Sequence, residues 1–264
     1  MVTRPSFKDF YKNGYFIYKI KNKKDLNFLK KKLFLGSKSM VSEKIQISNF
    51  FDNFYKIKLK EDNLNNFRMN LMKKINKEFF GAKIGYKIFS NLIDDIFGKD
   101  VVSQKNINLV IQNPNDSSQT TVHRDSPPNS LYEIVVWVPL TKTYKTKNMY
   151  ILNKKQTSKI YKMVNNSIKK NKKVDNIMES YFKFAFKKSK RFNLNFGEAL
   201  VFWAPLVHCV ETNKENSSRW SLNFRYKNTF SPYGTKKFID YFNLANESVV
   251  TRLAVEKQSE KFKI

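Results

Sequence analysis

Residues 218–225 read Ser-Arg-Trp-Ser-Leu-Asn-Phe-Arg, and this alternation of polar and large apolar residues predicts a β-strand. Successive side chains of a strand point to opposite faces, so the two faces differ in character. The polar face carries Arg219, Ser221, Asn223 and Arg225. The apolar face carries Trp220, Leu222 and Phe224. The polar face would either lie in water, as on an ordinary half-buried strand, or line a barrel interior where arginine and serine bind a carboxylate.

Other short apolar segments before this strand also have the composition of strands and are separated by turn-forming residues. They cover residues 106–112, 120–123, 131–140, 149–152, 191–194, 199–203 and 207–211. The first hundred residues instead show helical spacing of apolar residues, over 24–35, 63–80 and 85–97. Helices followed by about eight short strands predict a mainly β fold, namely an antiparallel barrel or jelly roll with a helical layer outside.

The length of 264 residues suits one large domain covering 1–264. Residues 1–100 would form the helical flank, and 101–153 with 191–230 the β core. Between the core segments, 154–190 is a basic and mostly helical insertion, placed where a lid would lie. Its lysines would either attract a phosphorylated or nucleotide-linked substrate or form a solvated face. They are Lys154, Lys155, Lys159, Lys162, Lys169, Lys170, Lys172 and Lys173.

The formal net charge is +28, which is typical of proteins that bind nucleic acid or phosphorylated metabolites. Lysine, asparagine, isoleucine, phenylalanine and tyrosine are abundant together, and all five have A/T-rich codons, so genome composition alone could raise the lysine content. Because the lysines are spread along the whole chain, we favour a general solvated surface.

Three features predict a cytoplasmic protein without membrane contact. The single cysteine, Cys209, excludes an internal disulfide. The N-terminal residues lack the apolar core of a signal peptide, and the longest apolar stretches are too short to span a bilayer. The sequence leaves the oligomeric state open.

The chain contains only two histidines, and both lie in the predicted β half. His123 belongs to Thr-Val-His-Arg-Asp at residues 121–125, and His208 follows a predicted turn and strand. Two imidazoles and one carboxylate on one face of an octahedron form the facial triad of non-haem Fe(II) oxygenases. We therefore predict that His123, Asp125 and His208 bind one ferrous ion. A lone histidine on a strand is more often an ordinary core residue, so the prediction depends on the combination.

The pattern of His123-x-Asp125, His208 and then Arg219 eleven residues later resembles the Fe(II)/2-oxoglutarate-dependent dioxygenase superfamily. The resemblance covers most of the chain except the insertion at 154–190.

Three further segments are similar to the phytanoyl-CoA dioxygenase-like branch of that superfamily. They are the aromatic-Gly-aromatic segment at residues 10–17, Trp137 in Val-Val-Trp-Val-Pro-Leu, and Gly-Glu-Ala-Leu-Val-Phe at 197–202. The whole set is also similar to oxygenases of bacterial surface-carbohydrate gene clusters.

The resemblance implies a double-stranded β-helix with N-terminal flanking helices, and it implies Fe(II), 2-oxoglutarate and O2 as cofactor and cosubstrates. Arg219 would bind the distal carboxylate of 2-oxoglutarate with help from Ser221, and Trp137 would line the pocket. Asp125 favours hydroxylation over halogenation, because related halogenases lack this carboxylate. The expected substrate is a small anionic metabolite such as a carbohydrate intermediate.

Two other functions stay open. Arg219 and Arg225 resemble the paired arginines of AlkB-type nucleic-acid demethylases, and the net charge would suit a nucleic-acid substrate. Against this, Arg219 lies closer to the distal histidine than the first arginine usually does in that family. The second possibility is a β-barrel sugar-binding module that has lost catalysis. Cys209 directly follows His208, so strand alternation turns it away from the metal, and we expect it to be a small buried hydrophobe.

Overall fold

The computed structural model describes residues 5–43, 46–61, 63–116, 122–125, 130–170 and 174–261. Within these ranges the helices are α1 (Pro5–Asn13), α2 (Lys23–Ser37), α3 (Ile47–Phe50), α4 (Leu64–Ile75), α5 (Phe80–Phe97), α6 (Lys154–Lys169), α7 (Val174–Lys188), α8 (Phe238–Tyr241) and α9 (Val249–Lys261). The strands are β1 (Tyr15–Lys19), β2 (Val101–Gln104), β3 (Asn108–Gln112), β4 (Ile134–Pro139), β5 (Met149–Ile151), β6 (Lys190–Arg191), β7 (Glu198–Trp203), β8 (His208–Val210), β9 (Arg219–Asn228) and β10 (Phe242–Asn246).

The strands form two antiparallel sheets. The larger sheet has the order β1-β7-β4-β9-β2-β10, and β3 also pairs with β9. Strand β9 is central, since β4 pairs along one of its edges while β3 and β2 share the other. The smaller sheet has the order β6-β5-β8. An apolar cluster that includes Val135 and Phe202 of the larger sheet and Met149 and Val210 of the smaller one joins the two sheets.

Helices α2, α4 and α5 cover the other face of the larger sheet. Their apolar residues form one core with the outward-facing residues of β4, β7 and β9. Trp220 is fully buried among four phenylalanine rings, with centroid distances between 4.8 and 6.2 Å. Gly85 lets α5 approach β9 closely, because a Cβ there would lie 2.3 Å from the Phe224 ring. The apolar face of β9 is therefore held in place by the helical layer.

The fold is a mixed helix and antiparallel-sheet fold, so the mainly β expectation needs correction. Among the described residues, helices hold more of the chain than strands do. The predicted helices and strands largely match the observed elements, but β1, β2 and β10 were not predicted. Strands β1 and β10 are the two edge strands of the larger sheet, and β2 lies between β9 and β10. Of the strand expected over 120–123, residues 120 and 121 lie outside the described residues, and His123 forms an isolated bridge with His208.

The insertion forms the helix pair α6 and α7. A reciprocal cap begins α6, since the Asn153 side chain accepts a hydrogen bond from Gln156 N and the Gln156 side chain accepts one from Asn153 N. The apolar side of the pair packs on the smaller sheet through Ile160, Tyr181 and Val207. The lysines of α6 are exposed, which agrees with a solvated face, whereas Lys172 and Lys173 lie outside the described residues. A lid role for this insertion stays a prediction.

Across the described ranges, no helix is both long enough and apolar enough to pass through a lipid bilayer.

Candidate metal centre

The structure brings His123, Asp125 and His208 together at one end of the space between the sheets. Their potential ligand atoms all lie within 4.8 Å of one another. The two imidazole centroids are 4.3 Å apart, and His123 Nε2 is 3.9 Å from Asp125 Oδ1. Ligand bonds of about 2 Å from each side chain can converge on one ion over such distances. Two nitrogen donors and one carboxylate are a donor set suited to a divalent transition metal.

Backbone hydrogen bonds bring the distant segments of this cluster together. His123 and His208 exchange both of their backbone hydrogen bonds, at 3.0 and 2.9 Å. Asp125 N donates to the carbonyl of Ala204 at 3.2 Å. The segment carrying His123 and Asp125 therefore extends the smaller sheet next to β8. The His123 side chain remains 35% exposed, so the cluster is open on that side.

His208 is held as a neutral imidazole with a defined tautomer. Its Nδ1 lies 2.9 Å from the carbonyl oxygen of Leu206. Because a carbonyl can only accept, Nδ1 carries the hydrogen and Nε2 keeps its lone pair. Burial lowers the pKa of His208 to about 4, and the nearby Asp125 carboxylate opposes this shift only in part. A neutral imidazole is the form that binds a metal ion.

Arg225 holds the Asp125 carboxylate, which the sequence did not indicate. Its Nη2 donates to Asp125 Oδ2 at 2.8 Å, and both side chains are about nine-tenths buried. This bond occupies Oδ2 and leaves Oδ1 as the oxygen nearest to His123. A charge-assisted hydrogen bond to a metal-binding carboxylate orients it in the way that outer-shell partners usually do.

A cavity of about 300 Å³ extends from this cluster between the two sheets. The polar face of β9 lines it with Arg219, Ser221, Asn223 and Arg225. Arg219, Ser221 and Arg225 are buried, so the interpretation of this face as a water-exposed surface is wrong. Trp137, Val135 and Phe202 supply apolar wall area. Arg68 of α4 also reaches the cavity, a contribution that local sequence patterns could not reveal.

Arg219 carries a buried charge without an acidic partner among the described residues. It is 1% exposed, and its Nη1 makes a long hydrogen bond of 3.4 Å to the Lys147 carbonyl. The buried Arg219 Nε and Ser221 Oγ have no hydrogen-bond partner in the described part of the chain. Burial lowers the pKa of Arg219 to about 10, which still leaves it charged at neutral pH. An unpaired buried cation is costly, so this end of the cavity is suited to an anion.

A second cation lies close to Arg219. Lys147 is fully buried, its Nζ donates to Ser217 Oγ at 2.7 Å, and it lies 3.5 Å from Asp52 Oδ1. Burial lowers the pKa of Lys147, and Arg219 lowers it further. Asp52 thus pairs with Lys147, Arg219 has no ion pair among the described residues, and the Arg219 end of the cavity keeps its positive character.

Cys209 is buried, as expected of a small hydrophobe, and burial raises the pKa of its thiol to about 12. It lies on β8 opposite Tyr150. Since the reactive and metal-binding form is the thiolate, this shift keeps the sulfur in its protonated form.

No protein-family model matches this sequence, and no curated protein matches it either. Solved structures do share its fold. The non-heme monooxygenase ThoJ, in a nickel complex, aligns with a TM-score of 0.53 and 13% identity over 91% of this chain and 83% of that chain. EvdO2 from Micromonospora carbonacea var. aurantiaca aligns with a TM-score of 0.54 and 10% identity over 86% and 91%. EvdO2 complexed with 2-oxoglutarate gives a TM-score of 0.51 over the same shares at the same identity.

Proposed function

We propose that this protein is an Fe(II)- and 2-oxoglutarate-dependent oxygenase that hydroxylates a small anionic metabolite, such as a carbohydrate intermediate. The observation that carries the proposal is the set of side chains that line one cavity. A His-Asp-His cluster lies at one end, and a buried arginine without an acidic partner among the described residues lies at the other. A diacid that chelates the metal through its 2-oxo acid end would bring its second carboxylate to this arginine.

The architecture supports placing the chain among double-stranded β-helix, or jelly-roll, enzymes. Two antiparallel sheets pack together, and the bridge between His123 and His208 joins the metal cluster to the smaller sheet. We assign the chain to the phytanoyl-CoA dioxygenase-like branch on its sequence pattern. Two proteins with the same fold support the broader oxygenase proposal: ThoJ is a non-heme monooxygenase in a nickel complex, and EvdO2 is complexed with 2-oxoglutarate.

In this proposal each side chain has a defined task. His123, the His208 Nε2 atom and the Asp125 Oδ1 atom hold the ion, and Arg225 orients the carboxylate. Fe(II) with 2-oxoglutarate and O2 supplies C–H hydroxylation, in which one oxygen atom enters the substrate and the other enters succinate while CO2 leaves.

Three further side chains would bind and shield the cosubstrate. Arg219 donates paired hydrogen bonds to its distal carboxylate, and the unpartnered Ser221 hydroxyl donates another. Trp137, buried in the cavity wall, excludes water from the site.

An anaerobic titration with Fe(II) and 2-oxoglutarate tests the proposal through the visible absorption band of the chelate. We expect the band with the natural protein and its loss in His208→Ala, which removes a ligand. Cys209→Ala is the matched control, because it deletes the neighbouring buried side chain without touching the donor set. A natural protein that takes up neither iron nor 2-oxoglutarate contradicts the proposal. Retained sugar binding without iron uptake favours an inactive binding module instead.

A nucleic-acid substrate is the second candidate, because both Arg219 and Arg225 line the cavity and the net charge is +28. The pairing of Arg225 with Asp125 weighs against a substrate contact for that residue. Titration with a single-stranded oligonucleotide at several salt concentrations separates the two candidates. Binding that weakens steeply with salt would favour the demethylase, as would release of formaldehyde from a methylated strand when Fe(II), 2-oxoglutarate and O2 are supplied.

A further inference from the structure

A second cavity, of about 250 Å³, lies beside the candidate metal centre under the insertion. Residues 122–124 form one wall, α6 and α7 form the opposite wall, and Val207 lies between them. His123 lines both this cavity and the main one. A molecule in the second cavity would therefore lie against a proposed metal ligand, on the exposed side of the cluster.

The interior of this second cavity is mainly apolar. Val122, Ile160, Val164 and Val207 supply aliphatic surface, and these side chains belong to the cluster that fixes the insertion on the smaller sheet. Such a lining favours a hydrocarbon or ring surface over a fully hydroxylated sugar, whose hydroxyl groups would lose their hydrogen bonds to water.

Arg124 places a cation at the rim of this apolar space. Its guanidinium carbon lies 4.3 Å from the centroid of the Tyr161 ring, so the group is stacked on the aromatic face. The Tyr161 hydroxyl itself donates to the carbonyl of Pro205, which fixes the ring. Among the described residues no carboxylate forms an ion pair with Arg124. Stacking and a hydrogen bond to the Tyr161 side chain fix the guanidinium, and its remaining N–H groups are available to an anion.

Tyr181 adds a second polar group inside the cavity. Its side chain is 8% exposed, and its buried hydroxyl has no hydrogen-bond partner within the described ranges. A buried hydroxyl without a partner is destabilising, so it points to a ligand atom that would complete its bonding.

We propose that this second cavity binds the distal part of the substrate, and that this part is an apolar chain or ring carrying one anionic group. Arg124 pairs with the anionic group, Tyr181 donates to an oxygen near the body of the ligand, and the near end of the substrate faces His123. This inference rests on the oxygenase function proposed above and narrows its substrate to an amphipathic organic anion.

Two fluorescent probes test the inference on the full chain. Anilinonaphthalene sulfonate joins an aromatic body to one anionic group, and phenylnaphthylamine has a similar body without the charge. We expect Arg124→Gln to weaken the sulfonate probe about tenfold, as for loss of one charge-assisted contact, and to leave the neutral probe unchanged. Lys162→Gln is the control, since it removes one positive charge from an exposed position of α6.

Filling the cavity tests the location of the probes. Val164→Trp should weaken both probes, while Tyr181→Phe, which keeps the ring, should weaken only a probe that accepts from the hydroxyl. Equal sulfonate binding by the natural protein, Arg124→Gln and Val164→Trp overturns the inference. Circular dichroism of each variant checks that the fold is retained. Arg124 is exposed and Val164 is half-buried, so their substitution should not unfold the chain.

The inference and the proposed function fail in different ways. Suppose that the 2-oxoglutarate chelate band forms but substitution of Arg124 and Val164 leaves probe binding unchanged. This result contradicts only the substrate inference. Suppose instead that the chelate band is absent but the probes respond to the substitutions as predicted. This result contradicts the oxygenase function, and the second cavity then has no oxygenase substrate to bind. Mn(II)-induced broadening of the probe's proton resonances, lost in His208→Ala, would place the probe next to the metal centre.

Discussion

The two ends of the main cavity each present a buried arginine from the same face of β9, but the two side chains have different partners. Arg225 donates to Asp125 at 2.8 Å, so its charge is balanced within the protein. Arg219 is at least as deeply buried, and within the described part of the chain its side chain makes a long bond to the Lys147 carbonyl and no ion pair. Two arginines on the same face of one strand can therefore have different functions, because the function depends on the partner of each side chain. In the proposed function, the arginine with a carboxylate partner orients a metal ligand, and the other binds the carboxylate of the cosubstrate.

The largest effect should follow replacement of Arg219. We expect Arg219→Ala to weaken 2-oxoglutarate about a hundredfold, since truncating one partner of a buried charge pair costs about 2–5 kcal/mol. The affinity for Fe(II) alone should change little. Anaerobic titration of the chelate band measures both constants. An unchanged affinity for 2-oxoglutarate would contradict the difference drawn between the two arginines, because Arg219 would then not bind the anion.

Replacement of Arg225 should instead weaken metal binding. In Arg225→Met the Asp125 carboxylate loses its orienting bond, and outer-shell changes of this kind typically cost about 10- to 100-fold in metal affinity. Calorimetric titration with Mn(II) measures the loss. Asn223→Ala is the matched control, because Asn223 lies on the same face of β9 between the two arginines. If both variants bind Mn(II) equally, Arg225 is not a positioning residue.

A smaller effect, of another kind, is expected from the opposite face of the strand. In Gly85→Ala the new methyl group would meet the Phe224 ring, so α5 and β9 must separate slightly. Overpacking of this kind costs about 1–3 kcal/mol. Urea unfolding should show lower stability, with iron and 2-oxoglutarate affinities unchanged in the folded protein. A selective loss of one ligand would mean that the two faces of β9 are not independent.

The smallest effect should come from the exposed charges of the insertion. Lys162→Glu and Lys169→Glu change charge at exposed positions of α6, where single substitutions usually alter stability by less than about 0.5 kcal/mol. The 2-oxoglutarate affinity should stay within about twofold at physiological salt, because exposed charges are screened. A larger change, measured by the same band, would give the insertion a direct electrostatic role.

Much of the candidate site could be predicted because it depends on rare residues and local alternation. A chain with two histidines, one of them two positions before an aspartate, offers few other donor sets. The polar face of β9 follows from period-two geometry alone. The same alternation placed Arg219 on the polar face, where it was expected to bind a carboxylate.

What the sequence did not reveal depends on contacts between distant segments. The bond between Arg225 and Asp125 joins residues 100 positions apart, so no local pattern of the sequence encodes it. Strand β1 lies within the first hundred residues, which were expected to form the helical flank, and its extended form depends on pairing with β7. Arg68 reaches the cavity because α4 packs near β3, which local periodicity does not encode.

Cys209 has a practical consequence through its location on β8, where it is 1% exposed and pairs opposite Tyr150. At this exposure we expect a thiol-reactive dye to react with the sulfur slowly while the smaller sheet stays intact. Since the chain has no other cysteine to react with the dye, the labelling rate would measure how often the sheet that holds His208 opens. Slower labelling after a metal ion or a cosubstrate is added would then report, without any turnover, that the ligand has tightened this part of the molecule.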